Sequence, residues 1–105
     1  MALTREFKHS VVARVNRDPA FAQALLDEAA TLFLNGEPET ARLILRDLVN
    51  ATIGFEALAE KVGTPAKSLM RMFSAKGNPR ADNLFNVISQ LQQSTGVPLA
   101  VAAAA

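Results

Sequence analysis

A chain of 105 residues with 11 Lys+Arg, 10 Asp+Glu, one His and no Cys has the length of one domain and a formal charge of +1. Half of its residues are hydrophobic, enough for one core without staples, and the absence of cysteine excludes disulfide frameworks, thiolate metal sites and cysteine nucleophiles. A charge this small also excludes a protein that is basic over its whole surface, though a sum is silent on where the charges sit.

The first twenty residues mix Arg, Lys, Glu and His with apolar positions, so no signal-peptide core is read there, and the longest apolar run, Leu99 to Ala105, is mostly Ala and far below the roughly 20 residues of a membrane span. The expectation is a soluble, cytoplasmic protein with no membrane partner. Phe7, Val11, Val12 and Val15 follow Thr4 at helical spacing and predict a first amphipathic helix ending near Asn16. Asp18-Pro19 pairs a favoured N-cap with a residue pre-set for the first helical turn, and opens a second helix carrying Phe21, Leu25, Ala29 and Phe33, with Gly36 past its end. Pro38, flanked by Glu37 and Glu39 whose charges suit a helix N-terminus, opens a third with the apolar stripe Ala41, Ile44, Leu45, Leu48 and Val49.

Beyond residue 52 the segments shorten. Phe55 to Val62 predicts two turns stopped by Gly63, and Pro65 to Phe73 a second short helix capped by Thr64. Gly77-Asn78-Pro79 reads as a turn in which Asn78 caps and Pro79 begins a last helix, with Leu84, Val87, Ile88 and Leu91 inward and Gly96 and Pro98 at its close. Val97 to Val101 alone has the pattern of a strand. The fold class is therefore all-α: a compact bundle of about six short helices containing a helix-turn-helix, with a short C-terminal strand. Within the single domain 1–105, residues 1–51 form a helical part with a dimer or partner surface and residues 52–101 the helix-turn-helix part.

Residues 55 to 73 hold the most informative pattern. Ala59 falls where two helices of a helix-turn-helix cross closely, and Gly63, four residues on, supplies the positive φ of a tight turn. Leu58, Val62, Leu69 and Met72 then face inward, leaving Ala66, Lys67, Ser68, Met70 and Arg71 outward on the second helix, a mixture of small, polar and basic residues suited to a DNA groove. Charge supports this placement. Residues 1–60 carry six basic and nine acidic residues, a sum of −3, whereas residues 61–105 carry five basic and one acidic, a sum of +4. Lys61, Lys67, Arg71, Lys76 and Arg80 occupy twenty residues with no acid among them. Taken singly, Lys61, Lys76 and Arg80 read as solvated surface; their joint placement around one helix points to phosphate.

The run Leu58-Ala59 to Gly63, then Ser68-Leu69-Met70-Arg71-Met72, then Gly77-Asn78-Pro79 before a Leu-rich helix resembles the Cro/CI-type helix-turn-helix family over about residues 37 to 101. Within it, the Ser-Leu-x-Arg and Gly-Asn-Pro segments are similar to the addiction-module antidote proteins, the antitoxins that repress their own toxin-antitoxin operons. The resemblance implies a repressor of transcription that binds double-stranded DNA, with Lys67, Ser68 and Arg71 at base edges or adjacent backbone, and Asn78 and Arg80 holding a phosphate with the amides that open the last helix. It also implies a small toxin protein as partner. Two positions depart from the family pattern: Phe55, where a polar residue is common, reads as core, and Pro65-Ala66 leave the leading edge of the recognition helix without long polar side chains.

The remaining chemistry is sparse. His9 is the only histidine and reads as surface, Asp27-Glu28 are sequence neighbours on a solvated face, and neither a phosphate-binding Gly-rich loop nor a hydrolase nucleophile motif occurs. No cofactor, no metal and no enzymatic activity are expected. Phe7, Phe21, Phe33, Phe73 and Phe85 sit at helical spacing and read as core. The Leu99 to Ala105 tail reads as a strand for a second subunit, as a frayed end or as a handle for proteolysis. The resulting expectation is a homodimeric, sequence-specific DNA-binding regulator; the alternative is a protein-interaction module whose N-terminal helices bind a partner, without DNA binding.

Overall fold

The computed structural model describes residues 18–104, which form five helices and no strand: α1 (Pro19–Leu34), α2 (Pro38–Ala51), α3 (Phe55–Val62), α4 (Ala66–Met72) and α5 (Ala81–Thr95). The helix expected between Thr4 and Asn16, with Phe7 and His9, lies outside the described residues, and the other five of the expected six are those found here. The radius of gyration, 13.1 Å, is that of a folded chain of this length, for which about 13 Å is typical.

The first two described helices begin where the Asp-Pro and Glu-Pro pairs lie. Asp18 is extended, and its Oδ1 accepts the Ala20 N–H at 3.1 Å, satisfying one of the unpaired amides of a helix start. Glu37 precedes Pro38 at the start of α2 without a side-chain cap. α1 and α2 form the broadest helix pair. The side of α1 that is buried is Ala22, Leu26 and Ala29, whereas Phe21, Leu25 and Phe33 are half-buried. This rotates the expected apolar face: alanine at positions 22 and 29 lets neighbouring backbones approach closely, which the larger Phe21 and Leu25 would prevent. α2 buries Ala41, Leu45, Leu48, Val49 and Ala51, the expected stripe with Ile44 only half-buried.

α3, α4 and α5 close the core from the other side. Phe55, Leu58, Leu69, Phe73, Val87 and Leu91 join Leu26, Leu45, Leu48 and Val49 in one cluster drawn from all five helices. α3 packs on α2, α4 and α5, while α4 rests chiefly on α3. Phe55 is thus core, as its apolar character suggested.

Four expectations are corrected. Thr64 does not cap α4: Pro65, at φ −56° and ψ 142°, takes the cap position, and its carbonyl accepts the Leu69 N–H at 3.0 Å. Thr64 lies one residue ahead of that cap, in the turn between the two helices. Likewise α5 opens at Ala81 behind Arg80, whose carbonyl accepts the Leu84 N–H at 2.9 Å, so Asn78 and Pro79 belong to the connector ahead of the helix. Phe85 is not core but 63% exposed. Finally, Val97 to Val101 forms no strand: Val97 is buried in the core and its N–H returns to the Gln92 carbonyl, while the Leu99 N–H donates to Gln92 Oε1 at 2.7 Å. A side chain of α5 takes the donor that a strand partner would have used.

Candidate nucleic-acid interface

The turn between α3 and α4 is set by Gly63, the C-cap of α3, at φ 71° and ψ 30°. Its N–H bonds to the Ala59 carbonyl at 2.9 Å, and the Thr64 N–H reaches the same oxygen at 3.3 Å. A Cβ at position 63 would meet no atom within 4 Å, so glycine answers the left-handed backbone conformation and not a steric limit. Beyond the turn, α4 is anchored by Leu69, and then by Phe73 just past its end, both buried. Val62 and Met72 flank them half-buried. With that side fixed, Lys67, Met70 and Arg71 stand exposed on the opposite side, Met70 by 46%. Ser68 is half-buried at the margin, and Ala66 packs partly against the core, with no side chain long enough to reach outward.

After Phe73 the chain doubles back on the end of α4. The Ser74 hydroxyl donates to the Arg71 carbonyl at 2.7 Å, and the Gly77 N–H donates to the Ser74 carbonyl at 3.0 Å. Gly77 lies so near the helix end that a Cβ there would overlap the Met72 carbonyl oxygen and stand 2.7 Å from that of Arg71. The result is an open hollow of about 460 Å³ beside α4, lined among others by Ser68, Arg71, Ser74, Lys76 and Asn78. Four residues singled out from the sequence, Ser68, Arg71, Lys76 and Asn78, are therefore brought to one concavity. Lys61, Ala66, Lys67, Met70 and Arg80 do not line it.

The positions outside the hollow differ among themselves. Lys61 is in the last turn of α3, where a cation also complements the helix dipole without any ligand. Arg80 is exposed at the start of α5, whose first turn carries Asp82 and whose cap makes no side-chain hydrogen bond. Asn78 lines the hollow beside α4, and Arg80 stands two residues on, at the head of α5.

Sequence reasoning missed two features. Arg42, on α2, reaches the same loop, with Nη2 donating to the Ala75 carbonyl at 3.1 Å and Nε to that of Ser74 at 3.4 Å. Its position more than thirty residues upstream, in the acidic part of the chain, gave no local signal. The second is an apolar groove of about 370 Å³ between the second half of α1, α5 and the tail, lined by Leu34, Phe85, Ile88, Leu99 and Val101. Leu34 and Val101 are 69% and 81% exposed there, alongside Phe85. Exposed leucine and phenylalanine at helical spacing look like core in a sequence, and only the fold separates the two cases.

No helix among the described residues is long and apolar enough to cross a membrane. Comparison with known proteins finds no matching family model, curated protein or solved structure.

Proposed function

We propose that this chain is a sequence-specific double-stranded DNA-binding transcriptional regulator, a repressor, that presents α4 to the major groove. The observation that carries the reading is the joining of α3 to a short outward-facing α4 by the left-handed Gly63, with Arg71 sharing a hollow with Ser68, Lys76 and Asn78. That hollow lies within a twenty-residue stretch holding five basic residues and no acid. Such an array suits the regular negative charge of a nucleic-acid backbone, whose condensed counterions are released as Lys and Arg replace them.

Roles divide by reach. Arg71 and Lys67, long and exposed on α4, can donate to guanine O6 and N7, while Met70 offers apolar surface to a thymine methyl. Ser68, Lys76 and Asn78 hold phosphate in the hollow, and Lys61 and Arg80 add charge on either side. One recognition helix of two turns covers roughly four or five base pairs, so a homodimer on two half-sites about 34 Å apart supplies the missing specificity. The antitoxin role implied by the family resemblance adds a second surface: the N-terminal helical part, residues 1–51, would face a small basic toxin. No catalytic step and no cofactor enter this reading.

A second reading, a protein-interaction module without DNA binding, draws on the apolar groove between α1, α5 and the tail. Selection of bound fragments from random DNA by the full chain separates the two. The DNA reading expects enrichment of a two-fold symmetric site with half-sites one helical turn apart; no enrichment, together with no mobility shift of the chain's own upstream DNA at low salt, would favour the second.

A further inference from the structure

We infer that Arg42 of α2 is a positioning residue for the hollow beside α4: it holds the 74–78 loop in the shape that lets Lys76 and Asn78 act with Ser68 and Arg71. The inference rests on the DNA-binding reading and adds a residue from an element that takes no part in the helix-turn-helix.

Three contacts add to the Ser74 and Gly77 hydrogen bonds in setting the loop. Phe73 is buried at its start, and Gly77 packs its Cα against the last carbonyls of α4. The Arg42 guanidinium donates to the Ala75 and Ser74 carbonyl oxygens at 3.1 and 3.4 Å. The first two fix where the loop leaves α4 and where it returns. The third fixes the stretch between them, where Ala75 and Lys76 are exposed. It is also the contact that brings in another helix, and it spans 32 and 33 residues of sequence.

Chemistry favours arginine at this place. The end of α4 and the turn after it expose carbonyl oxygens, a concentration of negative partial charge that repels a phosphate. A planar guanidinium can serve two carbonyls at once and stays charged while doing so. Arg42 thereby offsets the unfavourable field of the oxygens and orders the loop, leaving Lys76 and Asn78 to meet the anion. With Nε and Nη2 on two successive carbonyls, the guanidinium is tied to the loop backbone.

The test is a coupling measurement on the full chain with a random-sequence duplex of about 30 base pairs at roughly 50 mM salt. Arg42→Gln and the loop variant Lys76→Ala/Asn78→Ala are each expected to weaken binding about tenfold. If Arg42 acts through the loop, the combined variant is also about tenfold weaker; about a hundredfold, the product of the two, would overturn the inference by making Arg42 an independent contact. Amide exchange in the DNA-free protein gives a second readout that a general loss of stability would not reproduce. Arg42→Gln should speed exchange at Gly77 and leave Gly63 unchanged, since the latter is held by Ala59 within the α3 turn. Equal acceleration at both sites would make Arg42 a stabiliser of the whole fold and overturn its role. Failure of the unsubstituted protein to shift the duplex would remove the DNA reading itself, and the role of Arg42 with it.

Discussion

Two concavities of similar size lie on this molecule, and they differ in the charged groups of their walls, Arg71 and Lys76 in one and Asp27 in the other. The hollow beside α4, about 460 Å³, is lined by Ser68, Arg71, Lys76 and Asn78, whereas the groove between α1, α5 and the tail, about 370 Å³, is lined by Leu34, Phe85, Ile88, Leu99 and Val101. On the proposed reading the first would take an extended anion with strong salt dependence, and the second would take apolar surface with little. The contrast teaches that the near-zero charge of the chain is a partition and not an average. A molecule can be nearly neutral and still carry one cationic face.

That comparison is broken most severely by damage to the core that both concavities share. Leu58→Ala removes a fully buried side chain from the common cluster and is expected to cost about 2–5 kcal/mol of stability, read from denaturant unfolding, with binding lost in proportion to the unfolded fraction. Gly77→Ala strikes the hollow alone. The Cβ would overlap the Met72 carbonyl, and relief by shifting the loop should cost about 1–3 kcal/mol and weaken DNA binding. Arg71→Ala should leave unfolding unchanged yet cost about 1–3 kcal/mol for a selected operator and relax discrimination, measured by titrating cognate and mismatched duplexes. Arg80→Ala, outside the hollow, should weaken binding to all sequences alike and flatten the salt slope by about one unit. Smallest of all, Phe85→Ser changes an exposed groove residue and should alter stability by within about 0.5 kcal/mol and leave affinity for a random-sequence duplex unchanged. A large loss of duplex binding in Phe85→Ser would mean that the two regions are not separate.

The sequence made some of this legible and concealed the rest for identifiable reasons. Helix starts at Asp18-Pro19 and Pro38 and helix ends at Gly63 and Gly96 were readable because proline and glycine constrain the backbone locally. The same grammar misled at Thr64 and Asn78. Each is a good capping residue standing before a proline, but α4 opens one residue after Pro65 and α5 two residues after Pro79. Periodicity located the inner face of α2 and misjudged that of α1, because α1 is apolar around most of its circumference and spacing cannot say which side meets α2. Within the candidate interface, the cluster of basic residues and the left-handed turn were readable from neighbouring residues. Arg42 was not, since its contact depends on how α2 lies against the end of α4. The side chains brought to the hollow are a subset of those singled out, because Lys61, Lys67 and Arg80 are near it in sequence without lining it.

The central claim is that the hollow and the exposed side of α4 bind DNA through phosphate neutralisation and base contact. It is tested most directly by titrating the full chain against its selected operator over a range of salt concentrations, alongside Lys76→Ala. The account predicts that log affinity falls linearly with log salt, by about 0.9 for each phosphate neutralised, and that Lys76→Ala lowers the slope by about one such step. Binding that is flat with salt, or a slope that Lys76→Ala leaves untouched, would contradict it.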